Sequence, residues 1–354
     1  MPEDLRQDER ELLARIAHRY YVDDRTQAEI GREFGLSRPK VQRLLERARW
    51  SGLVEIRIQA PPGLDLDLER ELRASFGLTD AVVAPERPDP GLQREAVARS
   101  AAQYLERRLQ DGTIVAVSHG RDAGEIPRFF RPRRHLDCTF VSAMGGSPRA
   151  DVPTNPNEIC RALAERAGGR AESLYAPAYV ESVEVRDRLL AQEAIAHTLR
   201  LARQASVALV GIGGTDDDCT LVRSGCLSLA EMARLRERGA VGDVLGNYVD
   251  LEGRSIASPH RDRLLGLSVD DLRRIGTVVA VASEPEKPRA ILGVLRSGVL
   301  DVLVVDARNA RTVLALARGA DDGAPFPARP AVPARAAGSA PAGSAKEVPE
   351  QTRR

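Results

Sequence analysis

Five short apolar runs restrict the fold of this chain more than any other feature: TIVAVS (113–118), CTFVSAM (138–144), SVALVGIG (206–213), TVVAVA (277–282) and VLDVLVVD (299–306). None alternates apolar with polar residues in the way a strand with one wet face does, so each reads as a strand buried on both faces. Segments of helical periodicity lie between them, at 93–109, 156–167, 186–204 and 288–297. Buried strands joined by helical crossovers predict a mostly parallel α/β sheet, whose ligands bind in the crevice beyond the strand C-termini.

The N-terminal stretch follows a different pattern. Leu12, Leu13, Ile16, Ala17 and Tyr20 give residues 9–20 the apolar stripe of a leading helix. A second helix runs from Thr26 to about Phe34, with Thr26 as N-cap, Glu29 completing a capping box, and Ala28, Ile30 and Phe34 facing inward. Gly35 takes a left-handed turn, Ser37 caps a third helix, and Pro39 sits in its first turn. Val41, Leu44, Leu45 and Ala48 form the buried stripe of that helix and leave Arg38, Lys40, Gln42, Arg43 and Arg47 outward.

This is a helix-turn-helix pattern suited to a DNA major groove, where such side chains meet phosphates and base edges. Its candidate DNA-contacting residues are Thr26, Gln27, Ser37, Arg38, Lys40, Val41, Gln42, Arg43 and Arg47. The plainer alternative is a helical hairpin with a solvated basic face. Charge favours DNA: residues 37–57 hold six basic against two acidic side chains, in a chain of net charge +1. Val54, Ile56 and Ile58 then alternate into a short strand, a wing or a lead into a hinge, which ends at Pro61-Pro62. A leucine-bearing helix starts at Gly63. The expected domains are therefore 1–60 for DNA binding, 61–318 for effector binding and oligomerisation, and a disordered Ala-, Pro- and Gly-rich tail over 319–354.

No run of about 18 apolar residues occurs and the first residues are charged, so neither a membrane span nor a secretory signal is expected. Cys138, Cys160, Cys219 and Cys226 lack ligand or CxxC spacing, which suits a reducing cytoplasm without a zinc site or disulfide frame. No catalytic triad or metal cluster stands out, and no cofactor is expected.

Glycine and polar loops follow the strands: SHGRDAG (118–124), GGSP (145–148), GIGG (211–214) and SEPEK (283–287). Backbone N–H groups in such loops approach a ligand closely, although a glycine after a strand is also ordinary turn geometry. The ligand candidates are Ser118, His119, Gly120, Arg121, Gly145, Gly146, Gly211, Gly213 and Lys287. The stretch GAVGDVLGNYVDLEG (239–253) adds Asp243 and Asp250 as hydroxyl acceptors, with helix capping and turn chemistry as their alternative role.

With these segments in place, residues 10–318 resemble the SorC family of sugar-responsive bacterial transcription regulators. The likeness runs through VAVSHGRD, LYAPAYVES, ALVGIGG, GAVGDVLGNYVDLEG and KPRAILGVLRSGVLDVLVVDARNA in order. It implies an α+β multidomain chain, with a winged helix-turn-helix ahead of a Rossmann-like α/β effector domain of the sugar-phosphate isomerase type. It also implies a double-stranded DNA operator, a homo-oligomer (dimer or tetramer), and a phosphorylated sugar or sugar derivative that binds at the loops above and alters operator affinity. Two positions depart from the family pattern: Asp122 stands where a small hydroxyl residue is usual, and Ser283 and Glu284 stand where paired glycines are usual. A carboxylate about 4 Å from a phosphate opposes it by roughly 4 kcal/mol per charge pair at an effective dielectric near 20. The expected effector is therefore a neutral sugar or polyol, unless the site is degenerate. The competing reading is a sugar-phosphate isomerase or deaminase with a DNA-binding appendage and Asp243, Asp250 or Glu284 as base. A nucleotide-binding redox regulator is disfavoured, because no GxGxxG follows a strand and opens a helix.

Overall fold

The computed structural model describes residues 7–54, 65–147 and 154–319, and contacts divide the chain into two units, Met1–Pro61 and Pro62–Arg354. The first unit holds three helices, α1 (Gln7–Tyr21), α2 (Gln27–Phe34) and α3 (Arg38–Trp50). Thr26 opens α2 with a full capping box: its hydroxyl accepts from the Glu29 N–H while its own N–H donates to the Glu29 carboxylate. Gly35 ends α2 at φ 68°, and Leu36 N–H closes the turn onto the Gly31 carbonyl at 2.8 Å. Ser37 does occupy the N-cap of α3, but its side chain accepts no capping hydrogen bond, so backbone shape and Pro39 alone begin that helix. Leu13, Ile16, Ala17, Ile30, Val41, Leu45 and Ala48 bury together. Each large one contributes about 1.5–3 kcal/mol relative to exposure. The strand expected over 54–58 and the helix start at Gly63 fall largely outside the described residues, as does the tail after 319.

The second unit opens with α4 (Leu66–Phe76), β1 (Asp80–Ala84), α5 (Pro90–Arg108), β2 (Ile114–Val117) and α6 (Arg121–Phe129). It continues with β3 (Thr139–Ser142), α7 (Pro156–Ala167), β4 (Arg170–Glu172), α8 (Val183–Leu190), α9 (Glu193–Arg203) and β5 (Val207–Gly211). Next come α10 (Thr220–Arg223), α11 (Leu229–Glu237) and a hairpin of β6 (Gly242–Val244) with β7 (Asn247–Val249). The unit closes with α12 (Val269–Arg274), β8 (Thr277–Ala282), α13 (Pro288–Arg296), β9 (Val302–Asp306) and α14 (Ala307–Gly319). The helix expected over 186–204 is broken, because Gln192 leaves helical geometry at ψ 125° and starts α9 anew.

Seven strands form one parallel sheet in the order β1-β9-β8-β5-β2-β3-β4. Alternate residues of every strand but β4 enter two different cores. Val115, Val117, Val279 and Val281 pack with α5, α6 and α7. Ala116, Val278, Ala280 and Ala282 pack with α4, α9, α12, α13 and α14. Burial on both faces is why the strands read as unbroken apolar runs. At the open edge of β1 the outward N–H groups are covered by carboxylates. Ala81 N–H donates to Asp80 Oδ1 at 2.9 Å and Val83 N–H to Glu69 Oε1 at 3.0 Å.

Candidate functional site

The strand order fixes where a ligand crevice must lie. From β2 the sheet grows one way through β3 and β4; from its neighbour β5 it grows the other way through β8 and β9. Loops leaving β2 and β5 therefore diverge to opposite sides and open a crevice between them. A pocket sits there, walled by His119, Gly120, Arg121 and Asp122 after β2 and by Gly211–Gly214 after β5. Cys219, Thr220 and Leu221, Asp243 of the hairpin, and Lys287 ahead of α13 close it. Its enclosed volume is about 20 Å³, room for about one water.

Close backbone contacts hold this wall. Ser118 Oγ accepts from Gly211 N–H at 2.9 Å and donates to the His119 carbonyl at 2.8 Å, clamping the two loops. Gly213 and Asp243 exchange two backbone hydrogen bonds of 2.9 and 3.0 Å. A Cβ on Gly213 would lie 1.9 Å from Asp243 Oδ1, so only glycine lets that carboxylate stand in the wall. The other oxygen, Oδ2, accepts from Gly246 N–H at 2.7 Å. Burial pushes Asp243 up to about 6, against the pull of the Gly246 N–H and Lys287. His119 lies with Nδ1 2.8 Å from Met144 Sδ, and burial, with Lys287 nearby, lowers it to about 4, so it is neutral near pH 7.

The charged floor lies between α5, α6 and the loop before α13. Asp122 is buried; it accepts from Ser283 N–H at 3.2 Å and from the Ser283 hydroxyl, and Lys287 Nζ stands at 3.5 Å. Glu284, also buried, pairs tightly with Lys287 and lies 3.1 Å from Arg121 Nε. Arg94 of α5 reaches both acids, at 3.7 Å from Asp122 and 3.8 Å from Glu284. Burial, reinforced by the Glu284 charge, raises Asp122 to about 6. Burial also acts to raise Glu284, but Lys287 and Arg121 outweigh it and hold that carboxylate low. Lys287 likewise stays protonated: the desolvation that would lower it is overcome by Asp122 and Glu284.

Of the residues expected from sequence, His119, Gly120, Arg121, Gly211, Gly213, Asp243 and Lys287 line this pocket. Ser118 acts one layer below. Gly145 borders a small adjoining lobe with His119 and Met144, where a Cβ would strike the Pro177 backbone at 2.4 Å. Gly146 instead exchanges backbone hydrogen bonds with Ala176 and Ala178. Asp250 stands apart from the pocket lining: it accepts from Arg254 N–H at 2.8 Å and Arg254 Nε at 2.7 Å, a turn role. Arg94 and the Cys219–Leu221 wall were not anticipated. Arg94 carries no local signal, since only the packing of α5 on α6 brings it here.

On the first unit, Arg38, Lys40, Gln42, Arg43 and Arg47 of α3 are exposed, as are Thr26 and Ser37, with Gln27 half-buried. Gln42 donates to Glu46 at 3.1 Å, and Arg47 pairs with Glu9 of α1. Val41 is fully buried among the three helices and belongs to the core rather than to the basic face.

Residues 61–315 match the family described as "Putative sugar-binding domain". The transcriptional regulator LsrR of Klebsiella pneumoniae is 34% identical over 318 residues, 87% of this chain and 94% of that one. The erythritol catabolism regulatory protein EryD of Brucella abortus is 30% identical over 312 residues, 87% of this chain and 98% of that one. The crystal structure of the full-length sorbitol operon regulator SorC from Klebsiella pneumoniae superposes with a TM-score of 0.67 at 27% identity, covering 87% of this chain and all of that one. No helix among the described residues is long and apolar enough to cross a membrane, and no three acidic, histidine or cysteine side chains there are grouped to hold a metal.

Proposed function

The chain belongs to the sugar-binding-domain family that includes SorC-like transcriptional regulators, and from that premise we propose that a sugar-type effector in the switch-point pocket controls how the first unit engages an operator. The protein is a transcriptional regulator and not an enzyme, as its relatives are. The enzyme alternative is further weakened by the floor of the pocket. Of the bases that alternative would use, Glu284 is committed to Lys287 and Arg121, and Asp250 accepts from Arg254 away from the pocket lining, which leaves Asp243 alone.

In this reading α2 and α3 form a helix-turn-helix, α3 enters the major groove, and Arg38, Lys40, Gln42 and Arg43 supply phosphate and base contacts. The domains are those read from the sequence: 1–60 for DNA, 61–318 for effector and self-association, then the tail. A single helix-turn-helix among the described residues supports a dimer or larger homo-oligomer, because paired readers grip half-sites about a helical turn apart. An effector that binds one arrangement of the paired domains better than another shifts operator affinity by that difference alone. The observation that carries the proposal is the convergence of glycine loops, Asp243 and Lys287 on a pocket at the topological switch, on a chain that also bears an exposed basic helix.

Fluorescence anisotropy with DNA from upstream of the protein's own gene tests it, at fixed salt, with and without sugars, polyols and sugar phosphates. The expected result is sequence-specific binding that one of these compounds changes. Absence of any sequence preference would remove the DNA-binding role of α3. Specific binding indifferent to all of them would remove the effector role of the pocket.

A further inference from the structure

We propose that this pocket carries its own counter-anions and therefore takes an uncharged polyhydroxy ligand, a free sugar or alditol, rather than a phosphate ester. The inference rests on the pocket assignment above and specifies its chemistry. Arg94, Arg121 and Lys287 are the cations gathered at the floor and wall; Asp122, Glu284 and Asp243 are the carboxylates facing them. Exposed Asp218 adds a fourth acid, 3.7 Å from Arg121, so the cations are fully matched before any ligand arrives.

Lys287, the cation best placed for an anion, is already taken. Glu284 pairs with it directly and Asp122 stands 3.5 Å away. Arg121 in turn lies 3.1 Å from Glu284. These contacts are buried: Asp122 and Glu284 are 2% and 7% exposed, and Lys287 is 9% exposed. Water therefore does little to screen the acids from an incoming group. A phosphate ester, with a charge of about −1.5 to −2 near neutral pH, would have to break these pairs and would then face the released carboxylates. A hydroxyl has neither problem. It donates to a carboxylate and accepts from an N–H at once. Asp243 offers Oδ1 beside Gly213 as acceptor, while Arg121 and Lys287 supply donors. The Ser283 hydroxyl and N–H both serve Asp122, so that acid is held in place as part of the wall rather than left to swing away.

Isothermal titration calorimetry on the full chain tests this with tetritols, pentitols, hexitols and the free sugars of the same lengths, each beside its monophosphate, and with inorganic phosphate alone. The expected result is a neutral compound that binds at least about tenfold more tightly than its own phosphate ester, the equivalent of about 1.4 kcal/mol. Inorganic phosphate should not saturate the wild type but should bind the Asp122→Asn/Glu284→Gln variant, whose cations are freed. Either single amide variant serves the same arm if the double variant melts early. The phosphate arm needs no knowledge of the natural effector, so it decides the matter even where the panel misses it. A phosphate ester preferred over its parent, or inorganic phosphate bound equally by wild type and variant, overturns the inference. Gly213→Ala separates the two levels. A phosphate preference abolished by Gly213→Ala sinks the neutral-ligand inference and leaves the pocket standing. A ligand whose affinity ignores Gly213→Ala removes the pocket assignment as well.

Discussion

At Asp243 a single side chain joins the hairpin to the pocket, and its protonation carries a signature. Burial raises it from 3.8 to about 6 in the folded protein. A carboxyl raised by folding costs nothing below its unfolded pKa, and the cost grows as pH climbs from about 4 to about 6 and persists above. The shift corresponds to about 3 kcal/mol. Asp243→Asn, which keeps an acceptor for Gly246 N–H, should therefore gain stability relative to the wild type at neutral pH and lose that gain near pH 4. Denaturant unfolding at the two pH values checks it, and a difference independent of pH would contradict the burial argument. Arg43 offers a second test at this scale, since it is exposed in the middle of α3. Arg43→Ala should cost roughly 1–3 kcal/mol in operator affinity and relax preference at one base position. A loss equal across all DNA sequences would place Arg43 on phosphate instead.

Among the elements, the turn between α2 and α3 has little slack. A Cβ on Gly31 would meet the Leu36 carbonyl oxygen at 2.5 Å, and that atom is backbone, fixed by the turn itself. Gly31→Ala should therefore cost the first unit about 1–3 kcal/mol, as overpacking does, and weaken DNA binding with it; a circular-dichroism melt of the full chain reads the change. The same comparison shows what sequence could tell. The runs at 113–118 and 277–282 and the stripe Val41, Leu44, Leu45 and Ala48 were legible because burial on one or two faces leaves a periodic trace. Of the edge strands, β4 was not, being three residues long with none of them buried, and β1, with three of its five residues buried, went unread beside the longer runs. The candidate pocket divided along similar lines. Loop glycines and Lys287 announce themselves by position after strands, and Asp122 and Glu284 by departing from a pattern. Arg94 lies on an ordinary helix face and only tertiary packing brings it to the acids. Val41 illustrates the converse: a recognition-helix position that serves the core.

Taken whole, the molecule couples a small helical unit to a large sheet-based one, and the two should answer a ligand differently. Saturation at about 100 times Kd stabilises the binding unit by about 2.7 kcal/mol. Differential scanning calorimetry with an effector should move the transition of the second unit upward and leave the melting of the first in place. Equal movement of both would show that the units unfold as one. A separate consequence follows from the open edge of β1, far along the sheet from the pocket. Bare N–H groups there would template the strand of another copy and start a fibre-like stack. Asp80 and Glu69 occupy those groups instead. Burial raises the pKa of Glu69 above the usual carboxylate value. Mild acid therefore weakens this acceptor sooner than it would an exposed glutamate, so acid should uncover the Val83 N–H while Asp80 still covers Ala81, and association between copies should begin at that one gap in the margin.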